Sequence, residues 1–597
     1  MGISPQSDKI ILLEIAWEVC QQLGGIYTVM RTKSPRMTSV WGDNYFVVGP
    51  YDENKSTAEF RELEPEGFIG EAVKKIQSFG VKAHYGKWLC TGRPNAVLIE
   101  PSHDMPDLGQ FKFFFWQNQH VELPSDDMIN ETASFGCGLI HFLQAVCEVK
   151  GDYKILAHFH EWMAALAAPV VKERNLPIST IFTTHATMLG RYLAMNVSDF
   201  YNHLPFYNWH DEATHFNIHP QVRIERAAAL SSDVFTTVSD VTAAECKQLL
   251  GRDPDVILPN GLNIDRFMAL HEFQNLHLKY KNKINEFVMG HFFPSYTFDL
   301  DKTLYFFSSG RFEYTNKGFD ITLESLARLN WKMKEEGSDK TVVFFLVTRQ
   351  PTKNIIPDII SRRAKLEKMH KTVESITDQL QERIFDQVAK GEYPDLKRLV
   401  DDYWKLRLRK FIHDWKVDSW PSIVTHELQD SGKDPILNKL NECGLLNQPD
   451  NPVKVVYHPE FISVNSPLFD MDYDDFVRGC HLGVFPSTYE PWGYTPLECI
   501  ARGVPAVTSD LAGFGSYMET YMDEEERVGS YVLKRRNVDY HQSADQLTNF
   551  LHEFVSMDRR ERIDFRNKVE ASSVHFDWRN LCSNYDRAHE MAVEKLG

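Results

Sequence analysis

The sequence predicts an α/β protein built from two parallel-sheet domains, and three observations carry that prediction. Short apolar runs alternate with helix-like segments along most of the chain, the rhythm of parallel strands joined by crossover helices. At 597 residues the chain exceeds what one hydrophobic core usually serves. The rhythm lapses after residues 256–262, where an Asn-Gly turn closes a short strand, and restarts near residue 301.

In the first part, strand-like runs fall at 9–17, 45–48, 96–99, 111–115, 154–159, 179–184 and 234–238. The first leads into Leu23-Gly24-Gly25-Ile26-Tyr27 and a helical segment at 28–32, with Lys33 just beyond. Glycines there let backbone approach a ligand closely, and their N–H groups can form a nest for an anion. The spacing is not GxGxxG, so a nicotinamide or flavin dinucleotide is not indicated. His158-Phe159-His160-Glu161 ends a strand and opens a helix over 161–172. It lacks the i,i+4 histidine pair of a zinc protease, which disfavours a metal. The stretch THATMLGR, residues 184–191 with the preceding Thr183, also follows a strand. His185 and Arg191 would then emerge at the carboxyl end of the sheet, where ligands bind in such folds; a capped, satisfied polar cluster is the other reading.

In the second part a strand at 304–308 precedes a polar loop holding Arg311 and Lys317, then an amphipathic helix over 320–333 and a strand at 341–348. Two cations at a strand's carboxyl end, in a chain of net charge −18, are candidates for a diphosphate clamp. Residues 352–450 form a charged helical insertion in which Leu366, Met369, Val373, Ile376, Leu380 and Ile384 keep a 3/4 spacing. That seam suits an internal core and an oligomer contact equally. Strands return at 454–457, 481–485, 505–508 and 531–533.

The stretch FPSTYEPWGYTPLE, residues 485–498, reads as strand, loop and helix. Pro496 suits the first helical turn, leaving the N–H groups of Tyr494 and Thr495 for an anion. Glu490 and Glu498 flank that position, which makes sense if a polyhydroxylated group hangs from a phosphate. Further on, Arg559, Arg560, Arg562 and Arg566 lie along one helical run, as a solvated face or a phosphate effector pocket. A closing helix is expected over 578–595.

Composition bounds the rest. With 43% hydrophobic and 25% charged residues this is a soluble globular composition, and the negative net charge argues against nucleic acid or anionic membrane as partners. No signal-peptide core or uninterrupted apolar run of membrane-spanning length is evident. Nine cysteines without a CxxC pair point to a reducing, cytoplasmic setting.

Several long motifs in order now support a sharper statement. EIAWEV at 14–19, GGIYTV at 24–29, Thr32-Lys33, WGDNY at 41–45, HFHEW at 158–162, THATMLGRY, NKGFD at 316–320 and EPWGYTPLEC at 490–499 resemble glycogen synthases of the animal and fungal type, over about residues 10–590. The resemblance implies a GT-B fold, with Rossmann-like domains at 1–265 (acceptor side) and 266–575 (donor side) facing across a cleft, and a last segment, 576–597, packed back on the first domain. It implies retaining, metal-independent and cofactor-free transfer of glucose from UDP-glucose to the non-reducing 4-hydroxyl of an α-1,4-glucan. Arg311 and Lys317 would neutralise the UDP leaving group with the N–H groups of Gly493, Tyr494 and Thr495 and the Gly24-Gly25 loop. Lys33, His185 and Arg191 would complete the site from the facing domain, with Tyr489 in the donor site, Glu490 at the transferred glucose and Glu498 on donor hydroxyls. Glycogen, a glycogenin-like primer and further copies of the chain, as a tetramer through the insertion, are the implied partners. Lys568 and Ala571 stand where the family carries further arginines, and no long Ser-rich tail follows. Activation by glucose 6-phosphate is therefore expected to survive, through Arg562 and Arg566, and control by tail phosphorylation is not.

Overall fold

The computed structural model describes residues 5, 7–124, 126–197, 199–264, 270–394 and 400–596. The expected domain boundary at 265/266 lies outside the described residues. Nine strands form the first sheet: β1 (Ile10–Ala16), β2 (Tyr45–Pro50), β3 (Phe60–Glu62), β4 (Ala83–Trp88), β5 (Asn95–Ile99), β6 (Lys154–His160), β7 (Ile178–Thr184), β8 (Val234–Thr237) and β9 (Val256–Ile257). Their order is β3-β4-β5-β2-β1-β6-β7-β8-β9, parallel except where β4 pairs with β3 and β5. The central strands are buried on both faces, which is why they read as continuous apolar runs.

The second sheet holds β10 (Thr303–Gly310), β11 (Thr341–Thr348), β14 (Val453–His458), β15 (Leu482–Val484), β16 (Ala506–Ser509) and β17 (Ser530–Leu533), ordered β14-β11-β10-β15-β16-β17 and all parallel. A separate two-stranded antiparallel sheet pairs β12 (Thr352–Ile355), before the insertion's two long helices, with β13 (His426–Leu428), after them. Among the parallel strands the order reverses between β1 and β6 in the first sheet and between β10 and β15 in the second. Loops at the carboxyl ends of strands beside such a reversal splay apart and leave a crevice. The Gly24 and His160 loops flank the first crevice, and the Lys317 and Glu490 loops flank the second.

Two expectations change. Residues 111–115 are not a strand but part of the helix Leu108–Asn118, where Phe111 and Phe115 turn inward one helical turn apart while Phe113 faces out. The helix expected over 161–172 is two, Glu161–Ala164 and Ala167–Glu173. Among the described residues one helix, Asp127–Val149, is long and apolar enough to cross a membrane, and most of it is buried against the helices Gly67–Ser78, Leu108–Asn118 and Ala167–Glu173, as a core helix is. In the insertion the helix Pro357–Ala389 packs on Leu270–Phe292 and Asp402–Trp415; Ile376 is buried in its seam and Val373 is exposed.

The last helix, Trp578–Glu594, lies against β6 to β9 and the helix Gly25–Trp41. Where the chain returns to the first sheet, Leu262 and Trp578 exchange backbone hydrogen bonds with Phe576 and Leu262 (2.9 and 3.1 Å), so the outgoing and returning segments run side by side.

Candidate active site

Two loops of the second sheet build the charged centre. The loop after β10 passes under the turn after β15: Thr488 donates its N–H to the Asn316 carbonyl (2.9 Å) and its hydroxyl to that of Thr315 (3.2 Å). Gly318 makes the crossing possible. Its φ is +68°, and a Cβ there would stand 2.2 Å from the Pro486 carbonyl oxygen. The crossing sets Lys317 Nζ on Glu490 Oε2, with the side chains 18% and 25% exposed. Ser309, Ser487, Gly493 and Thr495 line the same small pocket. Gly493, at φ +111°, precedes the helix Tyr494–Ala501, whose N-terminus carries no side-chain cap. Its first N–H groups and the positive end of its dipole are thus left for an anion. Arg311 is exposed at the start of its loop. Burial pushes the Glu498 carboxyl up to about 7, while Arg502 draws it down and Asp474 adds to the rise. The Tyr494 hydroxyl is buried without a hydrogen-bond partner.

The first sheet brings His185 and Arg191 to the facing wall. Glu161, itself at φ +64°, accepts the N–H groups of His185 (2.9 Å) and Ala186 (3.1 Å) and so shapes the turn after β7. Arg191 Nη2 lies 3.9 Å from the same carboxylate. Burial works against the Arg191 charge, but Glu161, Tyr489, Glu225 and Glu490 more than offset it and hold its pKa above the ordinary value. The two walls also touch directly: the Ser239 hydroxyl donates to the Pro491 carbonyl (2.7 Å), and a Cβ on Gly513 would stand 2.7 Å from the Cβ of Ser239.

Four of the expected site residues are placed differently. Lys33 does not open to the cleft. It is fully buried, its Nζ on Glu14 and 3.9 Å from the centre of the Tyr585 ring. The Gly24 N–H is taken by the chain's own Glu18, whose Oε2 also accepts from Tyr27 N (2.6 and 3.1 Å); Gly25 beside it is exposed. Tyr489 is turned from the donor pocket into the first domain, stacked on Tyr201 and beside Phe200, its hydroxyl 3.4 Å from Glu245. Adjacent residues on an extended loop point to opposite sides, so Tyr489 and Glu490 cannot both face the pocket. Arg566 is buried, its guanidinium on His277 Nδ1 and the Cys480 carbonyl (2.5 and 3.3 Å), whereas Arg559 and Arg560 are exposed and Arg562 half-buried.

Sequence reasoning left Glu14, Glu161, Ser239 and Glu245 without roles. Glu14 alone carried a signal, as the one charge inside the apolar run IILLEIA. Glu14, His158 and His160 lie close enough together to suit a metal ion by residue type. The Lys33 ammonium, however, already places a positive charge on the Glu14 carboxylate.

Two facing sheets, each with a crevice where its strand order reverses, define the GT-B fold. The catalytic domain of starch synthase IV from Arabidopsis thaliana, solved with ADP and acarbose, shares this fold: the match has a TM-score of 0.52 at 13% identity and covers 98% of this chain and 99% of that one. The chain belongs to the glycogen synthase family and is a glycosyltransferase of glycogen synthesis. The family profile for glycogen synthase matches residues 14–596. The chain is 41% identical to human liver glycogen [starch] synthase and to glycogen [starch] synthase of Neurospora crassa, in each case over 98% of its own length and 84% of the relative's. It is also 41% identical to isoform 1 of Saccharomyces cerevisiae, over 98% and 86%.

Proposed function

We propose that this chain extends α-1,4-glucan by moving glucose from UDP-glucose to a non-reducing 4-hydroxyl with retention, and without a metal ion. The observation that carries the reading is the Lys317–Glu490 pair beside the uncapped N-terminus of Tyr494–Ala501, with Arg191 facing it. As the glycosidic C–O bond breaks, negative charge grows on the diphosphate and positive charge on the sugar. A fixed cation and helix N–H groups stabilise the first, and a carboxylate the second. Lys317, Arg311 and the N–H groups of Gly493 to Thr495 take the diphosphate, and Glu490 takes the sugar. In the free protein each ion of the pair stands in for the opposite charge its partner meets in the reaction. The leaving diphosphate, a far weaker base than an alkoxide, departs without the protonating acid of a glycosidase and assists deprotonation of the acceptor.

Incorporation of labelled glucose into glycogen from UDP-glucose, ADP-glucose and other donors, with and without chelator, tests this. Transfer from UDP-glucose at undiminished rate in chelator is expected, and a requirement for added metal would overturn the metal-free part. Glu490→Gln is expected to lower kcat by about 10²–10³; intact turnover would remove Glu490 from the chemistry.

Glucose 6-phosphate is the activator we assign to the basic face near Lys281, Arg559 and Arg562, with His277 and His481 beside it. Burial lowers the Lys281 pKa; Asp301 and Asp299 oppose the lowering, while Arg559 and Arg562 add to it, so three cations share this patch. An activity ratio of one with and without the sugar phosphate would sink that assignment. A cytoplasmic setting, a glycogenin-like primer and assembly through the helix Pro357–Ala389 complete the proposal, the last tested by the oligomeric state of a Val373→Glu variant.

A further inference from the structure

Behind His185 a row of side chains runs from a sealed carboxylate out to the cleft. Glu14 in β1 is fully buried and holds three partners: the Lys33 ammonium, the Tyr45 hydroxyl, and His160 Nε2 at 2.8 Å. The far nitrogen of the same ring, His160 Nδ1, lies 3.0 Å from His185 Nε2. The helix Trp578–Glu594 closes the row from outside, with Tyr585 over Lys33 and His589 against His158 and Trp41.

The protons along this row are determined by elimination. The Glu14 carboxyl is held well below the ordinary carboxylate range: burial pushes it up, and Lys33 followed by His160 more than reverse this. An ionised carboxylate can only accept, so His160 Nε2 carries the proton. Burial and the Lys33 charge keep the His160 ring neutral, against the pull of Glu14, and its Nδ1 is therefore a lone pair. A 3.0 Å contact between two ring nitrogens needs one proton, which must sit on His185 Nε2. His185 is held neutral by burial and by His160, Lys33 and Arg191. Its Nδ1, the nitrogen not used inside, is then a bare acceptor.

We infer that Glu14 and His160 are positioning residues that lock His185 in one tautomer, so that it meets the donor sugar as a hydrogen-bond acceptor from a hydroxyl and not as a proton donor to the leaving diphosphate. The inference rests on the reading of His185 as part of the donor site. It gives Lys33 a place in the machinery from behind: its charge keeps Glu14 ionised, and Glu14 sets the direction of every hydrogen bond between itself and the cleft.

Donor analogues test the direction. In UDP-glucose analogues with each sugar hydroxyl replaced in turn by hydrogen or by fluorine, fluorine accepts a hydrogen bond but cannot donate one. At the position His185 meets, both replacements are expected to lower kcat/KM equally, by about ten- to a hundredfold. His160→Gln keeps an N–H for Glu14 and a carbonyl for His185, and retains that discrimination. His160→Leu is expected to reduce it to within about threefold. Rescue by fluorine at the position that His160→Leu affects would overturn the inference, as would discrimination unchanged in His160→Leu. Wild-type protein that fails to turn over UDP-glucose would refute the donor reading instead. The tautomer is then decided without a donor, by the ring resonances of ¹⁵N-histidine-labelled protein. A proton on Nε2 of both His160 and His185 supports the inference, and a proton on His185 Nδ1 overturns it.

Discussion

Each domain holds a buried or half-buried Lys–Glu pair near its crevice, and the two do opposite work. Lys33–Glu14 is sealed, with no exposed surface on either side chain, and it is roofed by the aromatic ring of Tyr585. Lys317–Glu490 lies in the wall of a pocket, partly open to solvent. A sealed pair has its hydrogen bonds completed by the protein, so losing one member strands a charge in a medium that cannot solvate it. An open pair can exchange its partner for a ligand of like charge at modest cost. One pair belongs to the architecture of the site, the other to its chemistry.

The largest effect that would sharpen this contrast is on stability. Lys33→Met is expected to destabilise the chain by about 3–5 kcal/mol, read from denaturant midpoints, with part of the loss recovered in the Glu14→Gln, Lys33→Met double variant. A loss under about 1 kcal/mol would mean that Glu14 is solvated after all. Lys317→Ala should instead lower kcat by about 10²–10³ with little change in the denaturant midpoint. The contrast would break if the two variants exchanged phenotypes.

These outcomes bear on what could be read from residues alone. The parallel strands were legible because burial on both faces makes them continuous apolar runs, as at β11, Thr341–Thr348. The aromatic run 111–115 misled for the same reason: five apolar-rich positions carry no visible period, and only the Phe111–Phe115 spacing betrayed a helix. That Lys317 and Glu490 would come together was legible because both follow strands of one sheet, on loops at its carboxyl edge. Lys33 was not, because nothing in its own neighbourhood reveals that Glu14, 19 residues earlier, would claim it. Tyr489 was assigned to the wrong wall because the direction of a side chain on a loop depends on a domain 244 residues away, where Glu245 waits.

A smaller effect extends the comparison to carboxylates buried without a lysine. Burial and Glu161 raise Glu225 to about 8, against the hydrogen bonds from Thr184 and Met188, and burial raises Glu245 to about 7. Both folded values exceed the ordinary carboxylate range, so the folded chain holds these protons more tightly than the unfolded one. Their contribution to stability is therefore full at low pH and is lost as pH rises through about 4.5 to 8, whereas the Glu14 contribution is lost only in acid. Between pH 5 and 8 Glu225→Gln should flatten the fall in unfolding free energy, read from denaturant titrations, by about 1–3 kcal/mol. An unchanged slope would show that Glu225 is ionised throughout. Smallest of all, Tyr489→Phe removes one hydroxyl from Glu245 and should cost about 0.5–1.5 kcal/mol in thermal stability while leaving the ring stacked.

The closing helix has a consequence in time. Trp578 Nε1 donates to Thr32 Oγ1 across 546 residues, and Tyr585 and His589 cover side chains of the first sheet's centre. A ribosome must therefore pass Trp578 and the helix after it before strands β1 to β9 receive their last covering layer. Until then Glu14, Lys33 and the two histidines face water or a chaperone. The domain of the first sheet is made before that of the second yet is completed after it, so the order of synthesis is reversed in the order of burial. Nascent chains stalled before Trp578 should be cut by protease within their first 260 residues, and chains released after Glu594 should resist. Resistance in both would show that the first sheet matures without its final helix.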